Sequence, residues 1–88
     1  MSRVQMYCTK TCPYCQQAEQ LLRKRGIRFE KIRVDLSRSK LREMHKRSRR
    51  DSVPQIFIND QHIGGYDELR KLDKKGKLSA LLQPGKQS

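Results

Sequence analysis

The chain has no apolar run approaching the ~18 residues needed to span a membrane. Its first residues, Met1–Met6, lack the apolar core of a signal peptide. There is no internal repeat and no low-complexity segment beyond a basic bias. Cysteine is scarce, at three residues, which is no disulfide framework and directs attention to thiol chemistry or a metal. Acidic residues are few, nine against 21 Lys and Arg, leaving a net charge of +12. At 88 residues there is no room for a second lobe. These absences predict one small soluble domain in the cytoplasm, with no membrane segment.

The charge is unevenly placed. Leu21–Arg50 holds thirteen Lys and Arg against Glu30, Asp35 and Glu43, so nearly all the excess sits in thirty residues. This suggests either an anionic partner or a solvated basic face. Phe29 is the sole aromatic in that stretch, so a base-stacking reader of nucleic acid has little to work with. No specific nucleic-acid partner is expected.

Apolar clusters argue against disorder. Val4–Cys8 reads as a strand ended by Thr9-Lys10-Thr11. Pro13 suits the first turn of a helix. Tyr14, Ala18, Leu21 and Leu22 form its stripe, and Gly26 ends it. Ile27–Val34 reads as a second strand whose apolar parity flips between Phe29 and Ile32, through a bulge or burial of both faces. Ser37 or Ser39 caps a second helix reaching about Ser48, with a thin stripe of Leu41 and Met44. Gln55–Ile58 is a buried strand, Asn59-Asp60 a two-residue hairpin turn and Gln61–Ile63 its partner. Leu69 and Leu72 mark a short helix broken at Gly76, and Leu78, Leu81 and Leu82 a terminal helical turn. The order β-α-β-α-β-β-α-α gives an α/β fold, a four-stranded mixed sheet flanked by helices. The domain is expected over 1–83, with a polar tail at 84–88.

The sharpest feature is Cys12-Pro13-Tyr14-Cys15 at a strand-to-helix junction. Two intervening residues in a first helical turn bring the thiols within disulfide reach. Cys12 stands just before the helix, near its free N–H groups and the positive end of its dipole, which favour a thiolate. Cys15 lies one turn in and remains a thiol until needed. Cys12 is therefore the attacking residue and Cys15 the resolving one. A structural zinc site is weaker, because Cys8, His45 and His62 supply no matching second pair; an inert structural pair is the other alternative. No metal is expected. Cys8 reads as a small strand residue, and both histidines as surface or strand-edge residues.

The chain resembles the glutaredoxins, in particular their small dithiol bacterial type. The resemblance is carried by Thr11-Cys12-Pro13-Tyr14-Cys15, Ser52-Val53-Pro54-Gln55-Ile56-Phe57-Ile58, His62-Ile63-Gly64-Gly65 and Asp67-Glu68-Leu69, and extends from about Val4 to Leu82. It implies a thioredoxin-like fold and glutathione as co-substrate. It further implies reduction of protein disulfides and protein–glutathione mixed disulfides, by a monomer. In such proteins Val53 precedes a cis Pro54 and offers its backbone to the glutathione cysteinyl unit. Arg50, two residues before Ser52, and Lys10 are candidates for the glycine carboxylate. The common pattern has its lysine where Thr9 stands here. Tyr14 packs along the groove, unless it serves as a core aromatic. Gly65, Tyr66 and Asp67 meet the γ-glutamyl end; a helix start after Gly64-Gly65 offers N–H groups to a carboxylate, and Asp67 attracts the ammonium. Many relatives have cysteine at the Tyr66 position. Some members hold a [2Fe–2S] cluster between two chains, and Pro13 argues against that role. The rest of the basic segment, including Arg23, Lys24, Arg47 and Arg49, is expected to favour acidic client proteins.

Overall fold

The computed structural model describes residues 3–78. Its elements are β1 (Val4–Cys8), α1 (Pro13–Lys24), β2 (Glu30–Arg33), α2 (Arg38–Ser48), β3 (Gln55–Ile58), β4 (Gln61–Gly64) and α3 (Tyr66–Lys74). The expected helical turn through Leu81 and Leu82 and the tail at 84–88 lie outside the described residues. No helix among those described is long and apolar enough to cross a membrane.

The sheet runs β2-β1-β3-β4. β1 and β2 are parallel, while β3 is antiparallel to both β1 and β4. Every residue of β1 and β3 is buried. The β3–β4 turn has positive φ at both Asn59 and Asp60, at 51° and 68°. That twist suits a two-residue hairpin, and Asn and Asp tolerate it better than most residues.

The core has two halves, one on each sheet face. Val4, Met6, Cys8, Ile56 and Ile58 meet Cys15, Ala18 and Leu22 of α1 and Leu69 of α3. Full burial of a leucine such as Leu22 or Leu69 contributes about 2 kcal/mol. On the other face, Tyr7, Ile32, Val34 and Phe57 meet Met44 of α2.

This division accounts for the parity flip in the second strand. Regular pairing starts only at Glu30, so the expected strand is too long at its beginning. Ile27 and Phe29 precede it and pack on the α1/α3 side, whereas Ile32 and Val34 serve the α2 side. Gly26 precedes this turn with φ +69°, a conformation glycine adopts without a Cβ penalty.

α2 is fastened by polar groups as well as by its thin apolar stripe. Ser37, rather than Ser39, caps it, accepting from the Lys40 N–H at 3.3 Å. The Tyr7 hydroxyl donates to the Glu43 carboxylate. Arg47 donates to the Tyr7 hydroxyl at 2.8 Å and to Gln5 Oε1 at 3.1 Å. Its guanidinium carbon lies 4.0 Å from the Phe57 ring centroid. Arg47 thus belongs to the α2–sheet joint, which corrects its assignment to a free client-facing surface.

Candidate active site

Cys12 is the N-cap of α1, and Pro13 occupies the first helical turn without leaving a donor unpaired. The Cys12 backbone is extended (φ −79°, ψ 119°), and its carbonyl accepts from the Gln16 N–H at 3.2 Å. Its thiol is partly exposed and lies 3.7 Å from the Val53 carbonyl oxygen. The sulfur sits at the N-terminal end of α1, where the first-turn N–H groups have no intrahelical partner.

Cys15 lies inside the protein, 3% exposed. Its thiol is pushed well above the ordinary cysteine range by a hydrogen bond shared with Cys8 and then by burial. Cys15 therefore holds its proton while Cys12 stands at the surface. All three cysteines are free. Cys8 is fully buried at the end of β1, as a small strand residue would be.

A cleft of about 250 Å³ gathers Tyr14, Arg50, Ser52, Val53, Pro54, Gly65, Tyr66 and Asp67 from three separate stretches of chain. The Val53–Pro54 bond is cis. Tyr14 is 58% exposed, so it belongs to the cleft wall and not to the core stripe of α1. Lys10 is exposed and outside this lining; its backbone N–H reaches Asp35 Oδ2 at 3.4 Å.

Two lining residues escaped the sequence reading, Gln55 and Glu68. Gln55 is buried and donates to the Ser52 carbonyl at 3.0 Å, bracing the loop before Pro54. Its Oε1 therefore faces His62 Nε2 at 2.8 Å, and that ring nitrogen is the donor. Burial lowers the pKa of His62 below its usual value, consistent with a neutral ring.

Glu68 accepts from the Gly65 N–H at 2.8 Å and lies 3.7 Å from Arg50 across the cleft. The hydrogen bond from Gly65 is the main reason its carboxyl pKa falls below the usual range. The Gly65 N–H is thus already engaged. The N–H groups of Tyr66, Asp67 and Glu68 at the start of α3 have no intrahelical acceptor. The pattern that could have revealed Glu68 is a glutamate three residues after a helix cap, the acidic half of a capping box. With glycine as the cap, the partner side chain that usually advertises the motif is missing.

Among the described residues, no three His, Cys, Asp or Glu side chains cluster as a metal-ligand set. The arrangement instead offers thiol exchange. One partly exposed sulfur sits at a helix start beside Val53 of the cleft wall, and one protonated sulfur lies buried behind it.

Comparison with known proteins agrees with this chemistry. The family model described as Glutaredoxin matches residues 4–63. The chain is 48% identical over 83 residues to Glutaredoxin 3 of Escherichia coli K12, covering 94% of this chain and all of that protein. It is similar to the solution structure of glutaredoxin from Brucella melitensis, with a TM-score of 0.83 and 41% identity over 94% of this chain and 90% of that one. It shares its fold with buckwheat glutaredoxin, solved as a glutathione complex, at a TM-score of 0.86 and 24% identity, covering 94% and 78% of the two chains.

Proposed function

The chain belongs to the glutaredoxin family and is a glutathione-dependent thiol–disulfide oxidoreductase, and we propose that Cys12 is its nucleophile and Cys15 its resolving thiol. The observation that supports this most directly is the placement of the two sulfurs. Cys12 caps α1 beside Val53 at the cleft, and Cys15 is protonated and buried one turn behind.

On a protein–glutathione mixed disulfide, the Cys12 thiolate attacks the glutathione sulfur. The protein sulfur leaves and takes up a proton. Cys12 then carries glutathione, and a second glutathione thiolate attacks that sulfur, forming oxidised glutathione and restoring Cys12. On a protein disulfide, Cys12 attacks one sulfur and releases the other. Cys15 then loses its proton and attacks Cys12, freeing the reduced client and closing the Cys12–Cys15 disulfide. Two glutathiones reduce that bond. The raised pKa of Cys15 restrains the closure and leaves time for exchange with glutathione.

The cleft supplies the glutathione site in this reading. Val53 offers its backbone to the cysteinyl unit, Arg50 faces the glycine carboxylate, and the Tyr66 and Asp67 N–H groups face the γ-glutamyl carboxylate. Tyr14 covers one side. Clients are disulfide-bonded or glutathionylated proteins, favouring acidic ones. The chain acts as a monomer in the glutathione-containing cytoplasm.

Two variants test the assignment. Cys12→Ser should abolish reduction of both a small glutathione mixed disulfide and a protein disulfide. Cys15→Ser should retain the first activity and lose the second. Identical behaviour of the two variants in both assays would refute the division of roles.

A further inference from the structure

The positive charges of α2 are sorted by face. Arg47 points to the sheet, and Lys40 meets Glu43 at 3.5 Å. Arg38, Arg42 and Lys46 follow at intervals of four residues, with Arg49 at the C-cap. At 3.6 residues per turn these four share one outer stripe, with His45 beside them. All five are exposed, and none pairs with a carboxylate among the described residues. The lone carboxylate of the helix, Glu43, is held by Tyr7 on the inner side.

Two apolar residues accompany this stripe. Leu36 is 73% exposed and Leu41 is 41% exposed. Leu41, Arg42, His45, Lys46 and Asp51 line a shallow hollow of about 540 Å³. Arg49, at the end of the helix, is followed in the chain by Arg50 of the cleft wall.

We propose that the outer face of α2 is the docking surface for an acidic segment of the client protein, whose carboxylates align with Arg38, Arg42 and Lys46 and whose apolar side chain rests on Leu41. This rests on the oxidoreductase reading and deepens it by assigning the client's chemistry and its position. The cations recur about every 6 Å along the helix axis, matching acidic residues four apart on a helix or two apart on a strand. A nucleic acid fits less well, since the face has no aromatic for base stacking and its leucines contact nothing on a phosphate backbone. A membrane fits less well because Leu41 on the helix and Leu36 just before its cap make too small an apolar area to insert.

The test uses two synthetic peptides, each with one glutathionylated cysteine followed by the same segment of alternating acidic and apolar residues. In the second peptide every Glu is replaced by Gln. At low salt the enzyme should show about tenfold higher kcat/KM on the Glu peptide, the sum expected of three exposed ion pairs, and lose this preference as salt rises. The triple variant Arg38→Glu, Arg42→Glu, Lys46→Glu should abolish or reverse it, with unchanged turnover of a small glutathione mixed disulfide. The Gln triple variant, with less electrostatic change to the fold, should abolish it as well.

Equal rates on the two peptides, or a preference that survives both triple variants, would overturn the proposal. So would binding of a generic RNA or of phosphatidylglycerol vesicles through these three residues without any acidic-peptide preference. Failure on the small mixed disulfide by the unaltered enzyme would instead defeat the oxidoreductase reading itself.

Discussion

Glu68 stands 3.7 Å from Arg50 and holds the Gly65 N–H with its other carboxylate oxygen. A negative charge of the protein therefore occupies the cleft assigned to a substrate that is itself anionic. Glu68→Gln keeps an acceptor for Gly65 and removes the charge beside Arg50. The KM for a glutathione mixed disulfide should fall about threefold with kcat nearly unchanged, the scale of one partly exposed ion pair. Steady-state kinetics at varied substrate concentration measure the split. A KM that stays constant or rises would show that Glu68 does not compete for Arg50.

Gly64 has φ +122°, and a Cβ placed there would come within 2.8 Å of the Glu68 carboxyl group. Gly64→Ala should cost about 2 kcal/mol through backbone strain and the displaced cap, measured by urea unfolding. The double variant Gly64→Ala, Glu68→Ala should regain a part of that loss, because the clash disappears while the strain persists.

Arg47 and Arg42 lie on one helix and read alike in sequence, yet they should behave differently. Arg47→Ala removes the hydrogen bonds to Tyr7 and Gln5, a longer one to Asp60 and the contact with Phe57, and should cost about 2 kcal/mol, or on the order of 10 °C in Tm. Arg42→Ala should stay within about 0.5 kcal/mol. Thermal unfolding of the two variants, side by side, tests the contrast.

Acid should destabilise the fold in two stages. Burial depresses the folded pKa of His62 below its unfolded value of about 6.5, so its share of stability is present above that pH and is lost as pH falls toward the lower folded value. The carboxyls of Glu19, Asp35, Glu43, Glu68 and Asp73 are also depressed, Asp35 to about 2 by its pairing with Arg33. Their contribution is present above about pH 4 and is lost as pH falls through their folded values. Urea midpoints between pH 7 and 2 should show both stages. His62→Gln should remove the first and leave the second.

The elements legible in the sequence were those with an unambiguous local signal. The strand before Cys12, the proline at the start of α1, the Asn59-Asp60 turn and the helix-opening dithiol each carry their reason within a few residues. The four stretches that resemble a glutaredoxin included eight of the residues now found along the cleft. The start of β2 was less legible because Ile27 and Phe29 are as apolar as strand residues, and where they pack is decided by α1 and α3. Arg47 could not be distinguished from its basic neighbours, since its role depends on Tyr7 and Phe57, which lie far away in sequence. Glu68 and Gln55 were missed for a related reason: an acid in a first helical turn and a glutamine in a strand have ordinary explanations until the cleft brings them beside Arg50 and Ser52.

The sheet order has a consequence for how the reaction geometry is maintained. β1 leads into Cys12 and β3 follows directly on Val53-Pro54, and these strands are neighbours, with Tyr7 opposite Gln55. The nucleophile and the facing wall of the cleft thus extend a few residues beyond the same rung of one backbone ladder. Their spacing is referenced to main-chain hydrogen bonds at the centre of the sheet, while the charged outer face of α2 lies on the helix packed over one sheet face. Surface residues of α2 can therefore be altered to suit different clients without changing the distance over which the sulfur must work.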